Sequence, residues 1–284
     1  MVPPVIVGVD GSTESLAAAE WAAREAVRRR RLLRLLHVRS WHPRQDGEPA
    51  TAAQRLLARR ALRRAGERIG RTCPEARWEE EQVDGPATAA LLRAAERADV
   101  LVLGSRGLSG FTGFLVGSVA LGVAARTVRP VVLVPVPFRE TVHRDVVLGL
   151  DLADPCDQVI EFAFEAARTR GARLRALHAW QPPAPYALGP GEIGLIEGPR
   201  RADEWREFMA AILEPWRDKY PGVEVVETLT EGRAASPLIR AASGAGLLVV
   251  GRRTTPSPVL SRTGPVAHAV IHHADCPVAV VPHE

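Results

Sequence analysis

Residues 99–124, DVLVLGSRGLSGFTGFLVGSVALGVA, decide how the chain is read. The run Val100-Leu101-Val102-Leu103 is short and wholly apolar, as a strand buried on both faces should be. Gly104 to Ser118 follows as a loop with glycines at 104, 107, 110, 113 and 117, which permit positive φ angles and close approach of the backbone to a ligand. Helical apolar spacing resumes near Val119, so Ser118 falls where a helix begins. Free backbone N–H groups, the positive end of a helix dipole and a hydroxyl can converge there on a phosphate. The alternative is a plain surface loop joining strand to helix.

The same alternation extends outward in both directions. Upstream, strand Val5 to Val9 is closed by Asp10-Gly11-Ser12, and Ser12 is placed to cap a helix running toward Arg30. Strand Leu32 to Arg39, a Pro/Gly-containing loop from Trp41 to Thr51, a basic amphipathic helix Ala52 to Arg71, strand Trp78 to Val83 and helix Ala87 to Arg97 complete the approach. Downstream come helix Val119 to Val128 and strand Pro130 to Pro135. Strands alternating with helices predict a mostly parallel sheet covered on both faces.

After a linker the order begins again. Val146 to Asp151 repeats Ile6 to Asp10, Leu177-His178-Ala179 repeats Leu36-His37-Val38, and Leu248 to Gly251 repeats Leu101 to Gly104. Asp10 and Asp151, like His37 and His178, are 141 positions apart, whereas Gly85 and Gly232, Gly104 and Gly251, and Gly117 and Gly264 are each 147 apart. One six-residue insertion accounts for the difference and falls in the Pro/Gly-rich stretch Gln181 to Arg200. The chain thus reads as a tandem duplication with domains at residues 1–138 and 143–284.

Composition narrows the function classes. No apolar run of the 284 residues approaches the ~18 needed to span a membrane, and the start lacks the pattern of a secretory signal, so a cytoplasmic location is expected. Three scattered cysteines form no disulfide framework or zinc pattern. A net charge of +4, with the arginines of residues 55–68 on a helical face free of interleaved aromatics, argues against nucleic acid. No Walker lysine, dinucleotide fingerprint or Ser/His/acid set stands at a strand end. His268 and His272 share a helix face but lack the further ligands of a metal site, so no metal residue is assigned.

Ligands of open α/β sheets bind where strand carboxyl ends open into a crevice. Asp10, the Val38 region, Gly85 and the glycine loop all occupy such ends. Asp10 can accept a ribose hydroxyl or help place a metal near phosphates, or can simply bond its own turn. Val38 can offer backbone groups and an apolar wall to a base, or be a core residue.

Gly104, two residues, Gly107, nine residues, then Gly117-Ser118 resembles the nucleotide-binding pattern of the universal stress protein family. Its neighbours Val-Gly-Val-Asp-Gly-Ser at 7–12, Leu-His-Val at 36–38, Gly-Pro-Ala at 85–87 and Pro-Val-Val-Leu-Val-Pro at 130–135 strengthen the likeness. The resemblance implies two tandem Rossmann-like (HUP-type) α/β sandwich domains, each with a five-stranded parallel sheet. It implies ATP, with or without Mg2+, as the ligand, and a role in stress response. Carried over, Asp10 and Val38 would contact the adenosine, with Gly85 at the neighbouring strand end. Gly104, Arg106, Gly107 and Gly117 would shape the ribose and phosphate site, and Ser118 with Val119 N–H would hold the terminal phosphates. Pairing of Pro130–Pro135 with Pro277–Pro282 would make the chain an intramolecular pseudo-dimer, open to further homodimerisation.

In the second copy Thr254 stands for the second glycine and Pro265 for the serine, so tight ATP binding is expected only in the first. With no lysine near the phosphates and no evident general base, catalysis is expected to reach slow ATP hydrolysis at most. A nucleotide-independent docking role for the second copy or the Gln181–Arg200 loop is the other alternative.

Overall fold

A computed structural model describes residues 2–39, 52–105, 117–138, 145–181, 202–254 and 263–284. The first half runs β1 (Val5–Gly8), α1 (Thr13–Arg29), β2 (Leu33–Arg39), α2 (Ala52–Thr72), β3 (Trp78–Asp84), α3 (Ala87–Ala95), β4 (Val100–Gly104), α4 (Ser118–Ala124) and β5 (Val131–Val134). The second runs β6 (Val146–Gly149), α5 (Asp157–Arg170), β7 (Leu174–Trp180), α6 (Ala202–Lys219), β8 (Val225–Glu231), α7 (Ala235–Ala242), β9 (Leu247–Arg253), α8 (Pro265–His273) and β10 (Val278–His283). The fourth helix is shorter than the expected Val119 to Val128. Thr127 Oγ1 donates to Arg129 O at 2.8 Å and accepts from Arg129 N at 3.1 Å, making a turn just ahead of Pro130.

Within each half the described strands are parallel, in the orders β3-β2-β1-β4-β5 and β8-β7-β6-β9-β10. The halves do not keep separate sheets. Strands β5 and β10 pair antiparallel, with Val131 opposite Val280 and Leu133 opposite Val278, so one ten-stranded sheet runs through the molecule. Both strands are buried, and pairing satisfies N–H and C=O groups that an edge would leave open. Helices α1, α2, α5 and α6 cover one face, and α3, α4, α7 and α8 the other, each over a core continuous across both halves. Strands β3 and β8 are left at the outer edges.

The halves also meet through α1 and α5, where equivalent residues exchange partners. Arg29 and Arg170 are 141 positions apart, as are Trp21 and Phe162. The Arg29 guanidinium lies 5.0 Å from the Phe162 ring centre, and that of Arg170 lies 5.5 Å from the Trp21 ring centre. Such reciprocity is the mark of an isologous contact. Glu25 breaks it, because its counterpart is Ala166. Its fully buried carboxylate accepts from Arg29 Nε and Arg170 Nη2, both at 2.5 Å, and Arg29 Nη1 reaches Asp99 Oδ2 at 3.0 Å.

Burial opposes ionisation of Glu25, but Arg170 and Arg29 outweigh it and hold its pKa at about 2, below the usual 4.5. A depressed folded pKa contributes stability that is complete above the unfolded value and is lost as pH falls from about 4.5 toward 2. Acid unfolding followed by circular dichroism should show this slope, about 3 kcal/mol across the window, and Glu25→Gln should flatten it.

The duplication also exposes a local strain. Helix α1 ends on Arg30 at φ 54°, and α5 ends on its equivalent Gly171 at φ 58°. The left-handed turn suits glycine and costs a side chain roughly 1 kcal/mol. Arg30→Gly is therefore expected to stabilise the chain by about 0.5–1 kcal/mol in urea titration.

Candidate functional site

The carboxyl ends of β1 and β4 open onto a cavity of about 300 Å³. Its described lining includes Asp10, Val38, Gly104, Gly117, Ser118 and Val119, six expected site residues drawn from widely separated parts of the sequence. Arg106 and Gly107 lie outside the described residues, as does most of Gln181–Arg200. Gly85 is not among the described lining residues. At φ 127° its N–H donates to Arg39 O at 3.1 Å, turning the chain after β3 so that Ala87, two residues on, lines the cavity.

Each wall has a local cause. Asp10 Oδ1 accepts from Ser12 N at 2.9 Å and from Ser12 Oγ at 2.5 Å, so the carboxylate is oriented by its own turn. Ser12 caps α1 by accepting from Ser15 N at 3.1 Å, and Ser15 Oγ accepts from Gly11 N at 3.2 Å. His37 Nδ1 donates to Val9 O at 2.7 Å, tying the residue before Asp10 to β2. His178 repeats the bond to Leu150 O at 3.0 Å, so the paired histidines that mark the duplication also pin the site-bearing strand ends.

The glycines work differently from the expectation of positive φ. Gly117 caps α4 at φ −61° and ψ 146°, ordinary extended backbone. Gly104 is absent from the positive-φ set and is required by packing: a Cβ there would stand 2.6 Å from Glu14 C and 2.7 Å from Glu14 O. Its lack of a side chain lets the end of β4 lie against the first turn of α1. That contact brings Glu14 and Ser15 to the cavity, two lining residues that the sequence reading missed. The available signal was the Ser12/Ser15 spacing after Asp10-Gly11.

The first helical position of α4 is Ser118, exposed at the cavity together with Val119. The described lining contains the carboxylates of Asp10 and Glu14 and no lysine or arginine. The described lining is thus acidic, and Ser118 is its exposed hydroxyl at the start of α4. Among the described residues no three His, Cys, Asp or Glu side chains form a metal-binding group, and His268 and His272 stand with ring centres 4.4 Å apart.

The second half has a cavity of about 530 Å³ in the equivalent place, lined in part by Asp151, Gly251, Gly264 and Pro265. Thr254 is not at positive φ, so its β-branched side chain is unstrained there. Its N–H donates to His283 O at 2.6 Å, prolonging the contact of β9 with β10. The difference from the first half lies at the helix start, where Gly264 is at φ 78° and Pro265 supplies neither N–H nor hydroxyl.

Parallel strands ending on a crevice, repeated about an antiparallel seam, define the class: a tandem Rossmann-like α/β protein. The model of the Universal stress protein family matches residues 1–135 and again 143–282. The chain belongs to that family. Universal stress protein Rv1996 of Mycobacterium tuberculosis is 29% identical over 297 residues, covering 97% of this chain and 94% of its own. Universal stress protein Rv2005c of the same organism is 29% identical over 288 residues, covering 97% and 96%. The crystal structure of a universal stress protein from Archaeoglobus fulgidus shares the fold at a TM-score of 0.75 and 18% identity, over 99% of this chain and 98% of that one. No helix among the described residues is long and apolar enough to cross a membrane.

Proposed function

We propose that the chain is a cytoplasmic ATP-binding protein of the stress response, with nucleotide held mainly by residues 1–138 and its occupancy serving as the signal. The supporting observation is the gathering of Asp10, Val38, Gly104, Gly117, Ser118 and Val119 around one cavity. At about 300 Å³ it is at the lower end of the roughly 300–1,000 Å³ usual for small-molecule sites. Asp10 and Val38 would face the adenosine, and Ser118 and Val119 N–H the terminal phosphates, with Arg106 and Gly107 on the intervening loop. Residues 143–284 form the second unit, which pairs with the first through β5 and β10 as an intramolecular pseudo-dimer. Its Pro265 supplies neither the N–H nor the hydroxyl that Ser118 would offer a phosphate.

Calorimetry with ATP tests this reading. One site per chain is expected, tighter with Mg2+ because Asp10 and Glu14 repel a bare phosphate chain. The double change Gly117→Ala and Ser118→Ala should weaken binding about tenfold or more. Gly117 has a backbone that alanine adopts freely, so the variant is expected to keep its fold. Heat-silent mixing with the wild type, or unaltered affinity in the double variant, would overturn the proposal.

A further inference from the structure

The second cavity contains a charge that the first does not. Arg252 follows Gly251 in β9 and is equivalent to Ser105, 147 positions earlier. Ser105 is buried and neutral, its hydroxyl donating to Val134 O at 3.1 Å. Arg252 is only 3% exposed and is one of the residues that line the cavity. Its Nη2 donates to the backbone carbonyl of Thr127 in the first half, while its Nε has no partner. Among the described residues no carboxylate pairs with it. Arg253, the next residue, already takes Asp154. Burial pushes the Arg252 pKa downward.

A desolvated guanidinium without a counter-ion is costly to fold around, and an anion brought by a ligand removes that cost. Leu177, Leu238 and Val250 give the wall an apolar stretch, beside Asp151 and the Arg253–Asp154 ion pair. Pro265 offers no donor for a second or third phosphate. With Arg253 held by Asp154, Arg252 is the lining cation left for a negative head, and the apolar side chains suit an apolar body. We propose that this cavity binds a small amphipathic carboxylate, its head paired with Arg252 and its body against Leu177, Leu238 and Val250. The two halves would then hold different ligands.

The test uses the full chain and anilinonaphthalene sulfonate, a fluorescent anion with an apolar body. Fluorescence should rise at one site per chain, and octanoate should displace the dye at least tenfold better than octanamide, which lacks the charge. Arg252→Met should weaken dye and octanoate binding roughly ten- to hundredfold, and Arg252→Lys less. Ala179→Leu, which adds bulk at the cavity wall without touching the charge, should also abolish displacement. Because the comparison of octanoate with octanamide needs no variant, it stands even if Arg252→Met fails to fold. Equal displacement by the two would overturn the proposal. So would stronger displacement by adenosine monophosphate, which would make this a retained nucleotide site, or undiminished dye binding in a folded Arg252→Met protein.

Discussion

Glu25→Gln is expected to destabilise the folded chain by about 3–5 kcal/mol at neutral pH, the scale for breaking a buried charge pair. The carboxylate is fully buried and serves two arginines from the two halves, so glutamine leaves both guanidiniums short of charge. In thermal unfolding this is a fall of on the order of 10 °C for a chain of this size. Adding Arg170→Met to Glu25→Gln should recover part of the loss, because the orphaned cation is then gone. A single variant within about 1 °C of wild type would mean that the cluster does not hold the halves together.

Gly104→Ala is the second large effect. Its Cβ would stand 2.6 Å from the Glu14 carbonyl carbon, a backbone contact that no rotamer relieves. Either the end of β4 or the first turn of α1 has to shift, at a cost of about 1–3 kcal/mol. Both carry walls of the first cavity, so the ATP affinity proposed for it should fall by about tenfold or more alongside the stability. Gly117→Ala makes the informative contrast, since its φ of −61° is open to any residue. Calorimetry and urea unfolding on the two variants separate packing from ligand contact. Equal stability losses in both would contradict a packing role confined to Gly104.

The inner strands were legible because parallel strands buried on two faces appear as unbroken apolar runs, and the duplication because Asp10 and His37 reappear 141 positions on and Gly85 and Gly104 147 positions on. The joining of two sheets into one was legible only as far as the matching apolar runs at 130–135 and 277–282. Gly104 does close β4 and Gly117 does precede α4, as the apolar run before and the helical spacing after them indicate. The reason for Gly104 was not, because it lies in a neighbour ninety residues earlier in sequence, Glu14, and contacts at that separation leave no local pattern. Glu25 was passed over for a similar reason. Its position four residues after Trp21 and four before Arg29 puts it on the buried stripe of α1, but the second arginine that explains it comes from the other half. Arginine is usually solvent-exposed, so in sequence only the equivalence of Arg252 to Ser105 marks it as unusual.

The outer strands determine where assembly stops. β3 presents Glu79, Glu80 and Glu81 in succession, with Glu79 and Glu81 tied to Arg34 at 2.5 and 3.2 Å, and β8 carries Glu227 and Glu231. The inner strands are already consumed by one another. Another copy docking edge to edge would set acidic ladders side by side, which like charge opposes. Both outer edges thus carry charge that disfavours continued growth of the sheet.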